Sequence, residues 1–74
     1  MKRTAVESSM IRSVGYDPVK ETLEIEFNSG GVYQYAEVTE EIYRELMAAE
    51  SKGRYMHEYI LDQYPYGRVR NSRR

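Results

Sequence analysis

The stretch that decides the fold is TLEIEFNSGGVYQY, residues 22–35. Its first half alternates, with Leu23, Ile25 and Phe27 separated by polar residues. This alternation predicts a strand with one buried and one solvated face. The segment NSGG at 28–31 predicts a hairpin turn, because glycine adopts positive φ without steric cost. The chain is therefore expected to return as an antiparallel strand.

A further strand is predicted on the N-terminal side of this hairpin. Residues 10–16 alternate so that Val14 and Tyr16 would share a face with Met10 and Arg12. The segment Asp-Pro at 17–18 then predicts a turn, because proline fixes φ and aspartate can accept hydrogen bonds from the backbone ahead of it.

Beyond residue 38 the apolar residues recur every three or four positions, which indicates helices. Thr39 is a favourable N-cap, and the two glutamates that follow it suit the helix dipole. Ser51 is expected to cap a second helix. Pro65 ends that helix, because it disfavours the α conformation at Tyr64.

These signals predict an α+β domain, in which a three-stranded antiparallel meander precedes two helices packed on one face. The predicted strands cover 10–16, 22–28 and 32–38, and the predicted helices cover 40–50 and 52–63. A single domain would span residues 10–66. Residues 1–9 are then a polar lead-in, and residues 67–74 a basic, flexible tail.

The composition of the 74 residues narrows the functional classes. Without cysteine, a disulfide framework, a cysteine zinc site and a thiol nucleophile are excluded. The proportions of 41% hydrophobic and 31% charged residues are typical of a soluble globular domain. The apolar runs are too short to span a bilayer, and no apolar signal segment follows the first three residues. We therefore expect a cytoplasmic, bacterial-type domain with no membrane contact.

The net charge of −1 conceals a segregation along the chain. Residues 1–20 carry a net charge of +2, residues 21–50 carry −7, and residues 51–74 carry +4. An acidic centre between basic ends restricts any anion-binding surface to one part of the domain.

Residues that could carry catalysis are few. His57 is the only histidine, and its helical neighbours three and four positions on are apolar, so a metal site lacks convergent ligands. Glu24 and Glu26 fall on the polar face of a strand, where solvation is expected rather than acid–base function. The serine pair at 8–9 has no base nearby, and the glycine pair at 30–31 lacks the spacing of a phosphate loop. We expect no enzymatic activity, metal or cofactor.

Tyrosine supplies eight of the nine aromatic residues. Tyr33 and Tyr35 project from the same face of a strand, where they could form a platform for unpaired bases or part of the core. A platform on the open face would share its surface with Glu24 and Glu26, which repel phosphates. This argument favours a position in the core or at its edge.

Cations are concentrated late in the chain. Lys52 and Arg54 flank Gly53 at the start of the second predicted helix, which could bind phosphate or be a solvated corner. The last seven residues contain Arg68, Arg70 and two further arginines. These would attract nucleic acid without sequence preference, or serve as a solubilising tail.

A set of short segments occurs in order along the chain, with Tyr33-Gln34-Tyr35 at its centre. The other segments are Ser8-Ser9, Gly15-Tyr16-Asp17, Leu23-x-Ile25-x-Phe27, Gly30-Gly31-Val32, Ser51-Lys52-Gly53-x-Tyr55, Ile60 and Tyr64-Pro65-Tyr66. In these segments the chain resembles the KTSC domain, which is named for its occurrence at the C-terminus of some lysyl-tRNA synthetases. The match covers about residues 5–68, and Tyr33-Gln34-Tyr35 is the hallmark of the family. Leu61 stands where such domains often carry a cation. The resemblance implies a small bacterial or phage-type domain without an established function, for which RNA binding has been suggested.

The leading hypothesis is a non-catalytic domain that binds RNA, either tRNA or a single strand. The predicted phosphate contacts and base-stacking residues are Lys52, Arg54, Arg68, Arg70, Tyr33, Tyr35, Tyr64 and Tyr66. The alternative is a protein-interaction module that uses a Tyr/Arg surface or an exposed edge strand at 10–16. Clustering of the cations on one face would favour RNA, and their dispersal together with an uncovered tyrosine patch would favour protein. The oligomeric state is left open.

Overall fold

The computed structural model describes residues 2–69 and contains five strands and two helices. The strands are β1 (Arg3–Ala5), β2 (Ile11–Asp17), β3 (Thr22–Phe27), β4 (Val32–Tyr35) and β5 (Tyr66–Val69). The helices are α1 (Glu40–Ala48) and α2 (Lys52–Tyr55), and α2 continues directly into a π-helical turn, Met56–Ile60. The predicted α+β class, with an antiparallel sheet and two helices, is confirmed.

The strands form one antiparallel sheet in the order β1-β2-β3-β4-β5, so the prediction of three strands is wrong. β1 lies within the predicted lead-in at 1–9, and β5 runs into the predicted flexible tail at 67–74. Both are short strands at the edges of the sheet. Exposed edge strands bury neither face fully, so they lack the alternation that marks a strand in a sequence. Residues 70–74 lie outside the described residues.

The two additional strands also change the position of β2. β2 pairs with β1 on one side and with β3 on the other. The predicted edge strand at 10–16 is therefore an interior strand where β1 covers it, and its backbone is not free to pair with a partner at residues 13–15.

The core lies between the helices and one face of the sheet. Leu46 from α1, and Met56 and Ile60 from the π-helical turn, are fully buried. They pack with buried sheet and loop residues, which are Ile11, Val14, Leu23, Ile25, Tyr35 and Val38. Thr39 caps α1 as predicted, because its Oγ1 accepts a hydrogen bond from the Ile42 amide at 3.4 Å.

The alternation predicted for the start of β2 is wrong, because the strand contains a β-bulge there. The register shifts between Ile11 and Ser13, so that Ile11 is fully buried and Arg12 is exposed. A bulge inserts one extra residue and reverses the faces of the residues before it. Arg12 therefore does not share the buried face of Val14.

The hairpin between β3 and β4 follows the prediction. The Phe27 amide donates to the Gly31 carbonyl at 2.9 Å, and Gly30 adopts a φ of 109°. That φ is strained for residues with a side chain, so the turn requires glycine here. Within residues 2–69, no helix is long and apolar enough to cross a membrane.

Candidate nucleic-acid interface

A groove opens where the end of the π-helical turn meets β3, β4 and β5. Its volume is about 490 Å³, within the range of small-molecule sites. We call it the aromatic groove, and its principal lining residues are Phe27, Tyr33, Tyr35, His57, Asp62 and Tyr66.

The aromatic rings of the groove form a contiguous group. Tyr33 and Tyr35 alternate on β4, and Tyr66 is the cross-strand partner of Tyr35 on β5. The ring centroid of Tyr66 lies 5.9 Å from that of Tyr33 and 5.5 Å from that of Tyr35. Phe27 meets Tyr33 edge-on at 5.7 Å. Tyr66 is 61% exposed, so the group presents an accessible aromatic surface at the edge of the sheet.

Tyr35 is only 2% exposed as a residue, and its hydroxyl makes no hydrogen bond to residues 2–69. Since no buried side-chain polar atom among those residues lacks a partner, this hydroxyl reaches solvent at the groove. By contrast, the Tyr16 hydroxyl donates to the Val38 carbonyl at 2.5 Å, and the Tyr55 hydroxyl donates to Glu45 at 2.7 Å. Burial, with smaller contributions from Tyr66 and Tyr33, raises the pKa of Tyr35 to about 12. Tyr35 therefore remains a neutral O–H donor at the wall of the groove.

Arg68 provides a positive charge beside the groove. It lies opposite Tyr33 in the β4–β5 pairing, and its guanidinium carbon is 6.0 Å from the centre of that ring. This geometry is a cation–π contact. The ion pairs within residues 2–69 involve Arg3, Arg44 and Arg54, and leave Arg68 and the distant Arg12 of β2 unpaired. The guanidinium of Arg68 is exposed and available to an anion.

His57 and Asp62 bring polar groups to the same groove from irregular backbone. His57 lies in the π-helical turn, which is closed by a 2.7 Å hydrogen bond from the Leu61 amide to the Met56 carbonyl. Asp62 has a φ of 67°, a left-handed conformation that is uncommon outside glycine. π-helical turns and strained residues are both enriched at functional sites. Within residues 2–69, no three acidic or histidine side chains are grouped to hold a metal.

The structure does not join the predicted phosphate-binding corner to this groove. Lys52 Nζ donates to the Ala49 carbonyl at 3.0 Å, and Arg54 pairs with Glu58 at 3.3 Å. Neither cation lines the aromatic groove, so the clustering of cations on one face that would favour RNA over a protein partner is not observed among residues 2–69. Tyr64 packs against the core and does not line the groove. Arg70 lies outside the described residues.

The acidic residues of β3 lie on the opposite face of the sheet from the groove. Glu24 and Glu26 alternate with Ile25, whose partner on β4 is Tyr33. Tyr35 is buried in the core and Tyr33 lies at its edge, as predicted. The groove is therefore shielded by the sheet from the two glutamates that would have repelled a phosphate there.

One arginine and two neutral hydrogen-bond donors pair with those glutamates. We call this group the polar cluster, and it comprises Arg3, Ser13, Glu24, Glu26 and Gln34. Arg3 forms ion pairs with Glu24 and, at 3.8 Å, with Glu26. Ser13 donates to Glu26 at 2.8 Å and accepts from Arg3 Nε at 2.9 Å, and Gln34 donates to Glu24 at 2.7 Å. The cluster satisfies its own polar groups.

Comparisons with known proteins place this geometry in a family. The family model for the KTSC domain matches residues 7–64. An uncharacterised protein of Stutzerimonas stutzeri is 44% identical over 70 residues, which cover 93% of this chain and 99% of that protein. A lysine–tRNA ligase from a Nostoc species is 42% identical over 60 residues, which cover 81% of this chain and 11% of the ligase.

The solved structures agree with these matches. The crystal structure of a KTSC domain protein from Yersinia pestis superposes with a TM-score of 0.90 at 40% sequence identity. The match covers 92% of this chain and 96% of the Yersinia chain. This chain therefore belongs to the KTSC domain family.

Proposed function

We propose that this chain is a non-catalytic RNA-binding domain. In this proposal the aromatic groove holds an unpaired base, and Arg68 contacts a neighbouring phosphate. The observation that carries it is an accessible tyrosine, Tyr66, and an unpartnered hydroxyl at one groove, with an unpaired cation beside that groove. Aromatic rings with an adjacent cation are the usual elements of single-strand recognition.

Single-stranded RNA fits this surface better than a duplex does. Bases in loops and single strands are free to stack on aromatic side chains, whereas the major groove of an A-form helix is too narrow for side chains to read. Stacking of one base on an aromatic ring stabilises a complex by about 1–3 kcal/mol. Tyr66 is the most accessible ring of the groove, so we assign it the stacking contact.

Arg68 is a better candidate for the phosphate contact than Lys52 or Arg54. Those two cations already donate to partners within the helical region, which leaves them fewer N–H donors for a phosphate. With Arg68 as the cation beside the groove, binding should be weak and should lose affinity as salt rises.

The relatives support RNA as the partner. A segment similar to this chain forms part of proteins named as lysine–tRNA ligases, so related domains occur in enzymes named for a tRNA substrate. A tRNA loop offers the unpaired bases that the groove would hold.

The test is a fluorescence-anisotropy titration of labelled single-stranded RNA and tRNA with the full chain, at about 50 and 200 mM salt. We expect Tyr66→Ser to weaken binding by about 5- to 150-fold, the equivalent of one lost stacking contact. Arg68→Gln should weaken binding and reduce its dependence on salt.

Two exposed residues outside the groove provide matched controls. Tyr59, on the π-helical turn, is 54% exposed, and Arg44, on α1, pairs with Glu40. Tyr59→Ser and Arg44→Gln should leave RNA affinity unchanged. Absence of binding at low salt, or equal losses in the controls, would contradict the proposal and leave a protein partner for the Tyr/Arg surface as the alternative.

A further inference from the structure

Two polar groups of the aromatic groove remain free for a ligand. The carboxylates of the ion pairs within residues 2–69 belong to Glu24, Glu26, Glu40 and Glu58. Asp62 lines the groove and is in none of these pairs. Its carboxylate is therefore an available acceptor. Tyr35, whose hydroxyl makes no hydrogen bond among those residues, supplies a donor at the same groove.

A carboxylate discriminates between bases because it only accepts hydrogen bonds, and it can accept two side by side. The Watson–Crick edge of guanine presents two adjacent donors, the N1–H and the exocyclic amine, followed by the O6 acceptor. Adenine and cytosine place a ring-nitrogen acceptor beside their amine. Uracil places its single N–H donor between two carbonyl oxygens. Only guanine therefore meets a carboxylate without opposing lone pairs.

We infer that the aromatic groove selects guanine, with Asp62 accepting from its N1–H and exocyclic amine and Tyr35 donating to O6. This inference rests on the RNA-binding function proposed above. A negative charge in the groove would repel a phosphate, so Asp62 faces the base rather than the backbone. A site with such groups rejects bases that leave the groups unpaired.

The experiment compares short oligouridines that differ only at their central base, which is guanine, adenine, cytosine, uracil or hypoxanthine. We expect the guanine oligonucleotide to bind about 5- to 20-fold more tightly than the adenine, cytosine and uracil ones. This is the lower part of the range for a bidentate base contact, because Asp62 is exposed to solvent. Hypoxanthine lacks only the exocyclic amine, so its affinity should fall between those of guanine and uracil.

Asp62→Asn is the decisive variant. Asparagine tolerates the left-handed backbone at this position, so the fold should be retained, which circular dichroism will check. The amide removes one acceptor and adds a donor, so the preference for guanine should fall below about twofold. Glu41→Gln, an exposed carboxylate on α1, is the matched control and should retain the preference.

The outcomes separate the inference from the function on which it rests. If none of the oligonucleotides binds, the RNA-binding function itself is wrong. If all bind with equal affinity, or if Asp62→Asn keeps the guanine preference, RNA binding stands and guanine selection is overturned.

Discussion

The two faces of the sheet differ in whether their polar groups already have partners. On the face away from the helices, the polar cluster pairs Arg3 with Glu24 and Glu26. On the helix-bearing face, the aromatic groove contains a free Tyr35 hydroxyl and the unpaired Asp62 side chain, and the unpaired Arg68 lies beside it. Paired polar groups stabilise a fold, whereas unpaired groups beside exposed rings are available to a ligand.

This difference shows why the number of charges along the chain is a poor guide to a binding surface. The acidic centre of the sequence suggested that a tyrosine platform would be repelled by glutamates. Glu24 is nevertheless buried and paired, and it lies on the far side of the sheet from Tyr33. The partners of a charge, rather than its sign, decide which face can bind.

The largest expected effect comes from breaking the polar cluster. Arg3→Met should lower the free energy of unfolding by about 2–3 kcal/mol, because it leaves the Glu24 carboxylate buried without its cation. Urea unfolding monitored by circular dichroism measures the change. Arg44→Met is the control, since the Arg44 side chain is 73% exposed, and it should cost less than about 1 kcal/mol. Equal losses in the two variants would show that the cluster contributes no more than a surface ion pair.

The next largest effect is expected at alkaline pH, from the ionisation of Tyr35 in the groove. Tyrosine has an ordinary pKa near 10, and the folded protein raises that of Tyr35 to about 12. The folded state therefore retains a proton that the unfolded state releases, so stability is lost as pH rises from about 10 to about 12, by about 2 kcal/mol. The comparison is between the wild type and Tyr35→Phe across that range. A Tyr35→Phe variant that loses as much stability would contradict a raised pKa at this position.

A smaller difference in folding stability at neutral pH is expected between removing the hydrogen-bonded hydroxyl of Tyr16 and removing the unbonded hydroxyl of Tyr35. Tyr16→Phe removes the hydrogen bond to the Val38 carbonyl and should cost about 1 kcal/mol. Tyr35→Phe removes a hydroxyl that has no partner among the described residues, so it should change stability by less than about 0.5 kcal/mol. Thermal and urea unfolding of both variants give the two values. A larger loss for Tyr35→Phe would mean that its hydroxyl already contributes to the fold.

The smallest expected effect is on RNA affinity, where Tyr35→Phe should matter more than Tyr16→Phe. Tyr35→Phe should weaken binding of the guanine oligonucleotide by about 2- to 10-fold, the range for one net hydrogen bond. Tyr16→Phe should leave it unchanged, because the hydroxyl of Tyr16 is already bonded to Val38. The same anisotropy titration measures both variants. Unaltered binding by Tyr35→Phe would remove this hydroxyl from the proposed contacts.

The central elements of the fold could be predicted because their signals are local. The alternation in β3, the glycine turn after it and the Thr39 cap each depend on a few neighbouring residues. β1 and β5 could not be recognised in this way. The spacing of Tyr66 and Arg68 places both side chains beside the tyrosines of β4 only when β5 pairs with β4. That pairing depends on contacts between residues distant in sequence.

The candidate site was predicted in part for the same reason. Of the predicted site residues, the structure brings together three tyrosines and one cation. The tyrosines are Tyr33 and Tyr35 of β4 and Tyr66 of β5, and the cation is Arg68. His57 was interpreted as an exposed helical residue, and it is exposed, but the π-helical turn also places it at the groove. Asp62 carried no functional signal. An aspartate after a predicted helix indicates only a turn, and its place at the groove depends on tertiary packing.

The central claim is that the aromatic groove, and not the polar cluster, binds RNA. Its most direct test is an NMR titration of the isotope-labelled chain with the guanine oligonucleotide, following amide and aromatic signals. The account predicts shifts at Tyr33, His57, Asp62, Tyr66 and Arg68, with none at Ser13, Glu24 or Glu26. Shifts at the polar cluster, shifts confined to residues 70–74, or no shifts at low salt would contradict it.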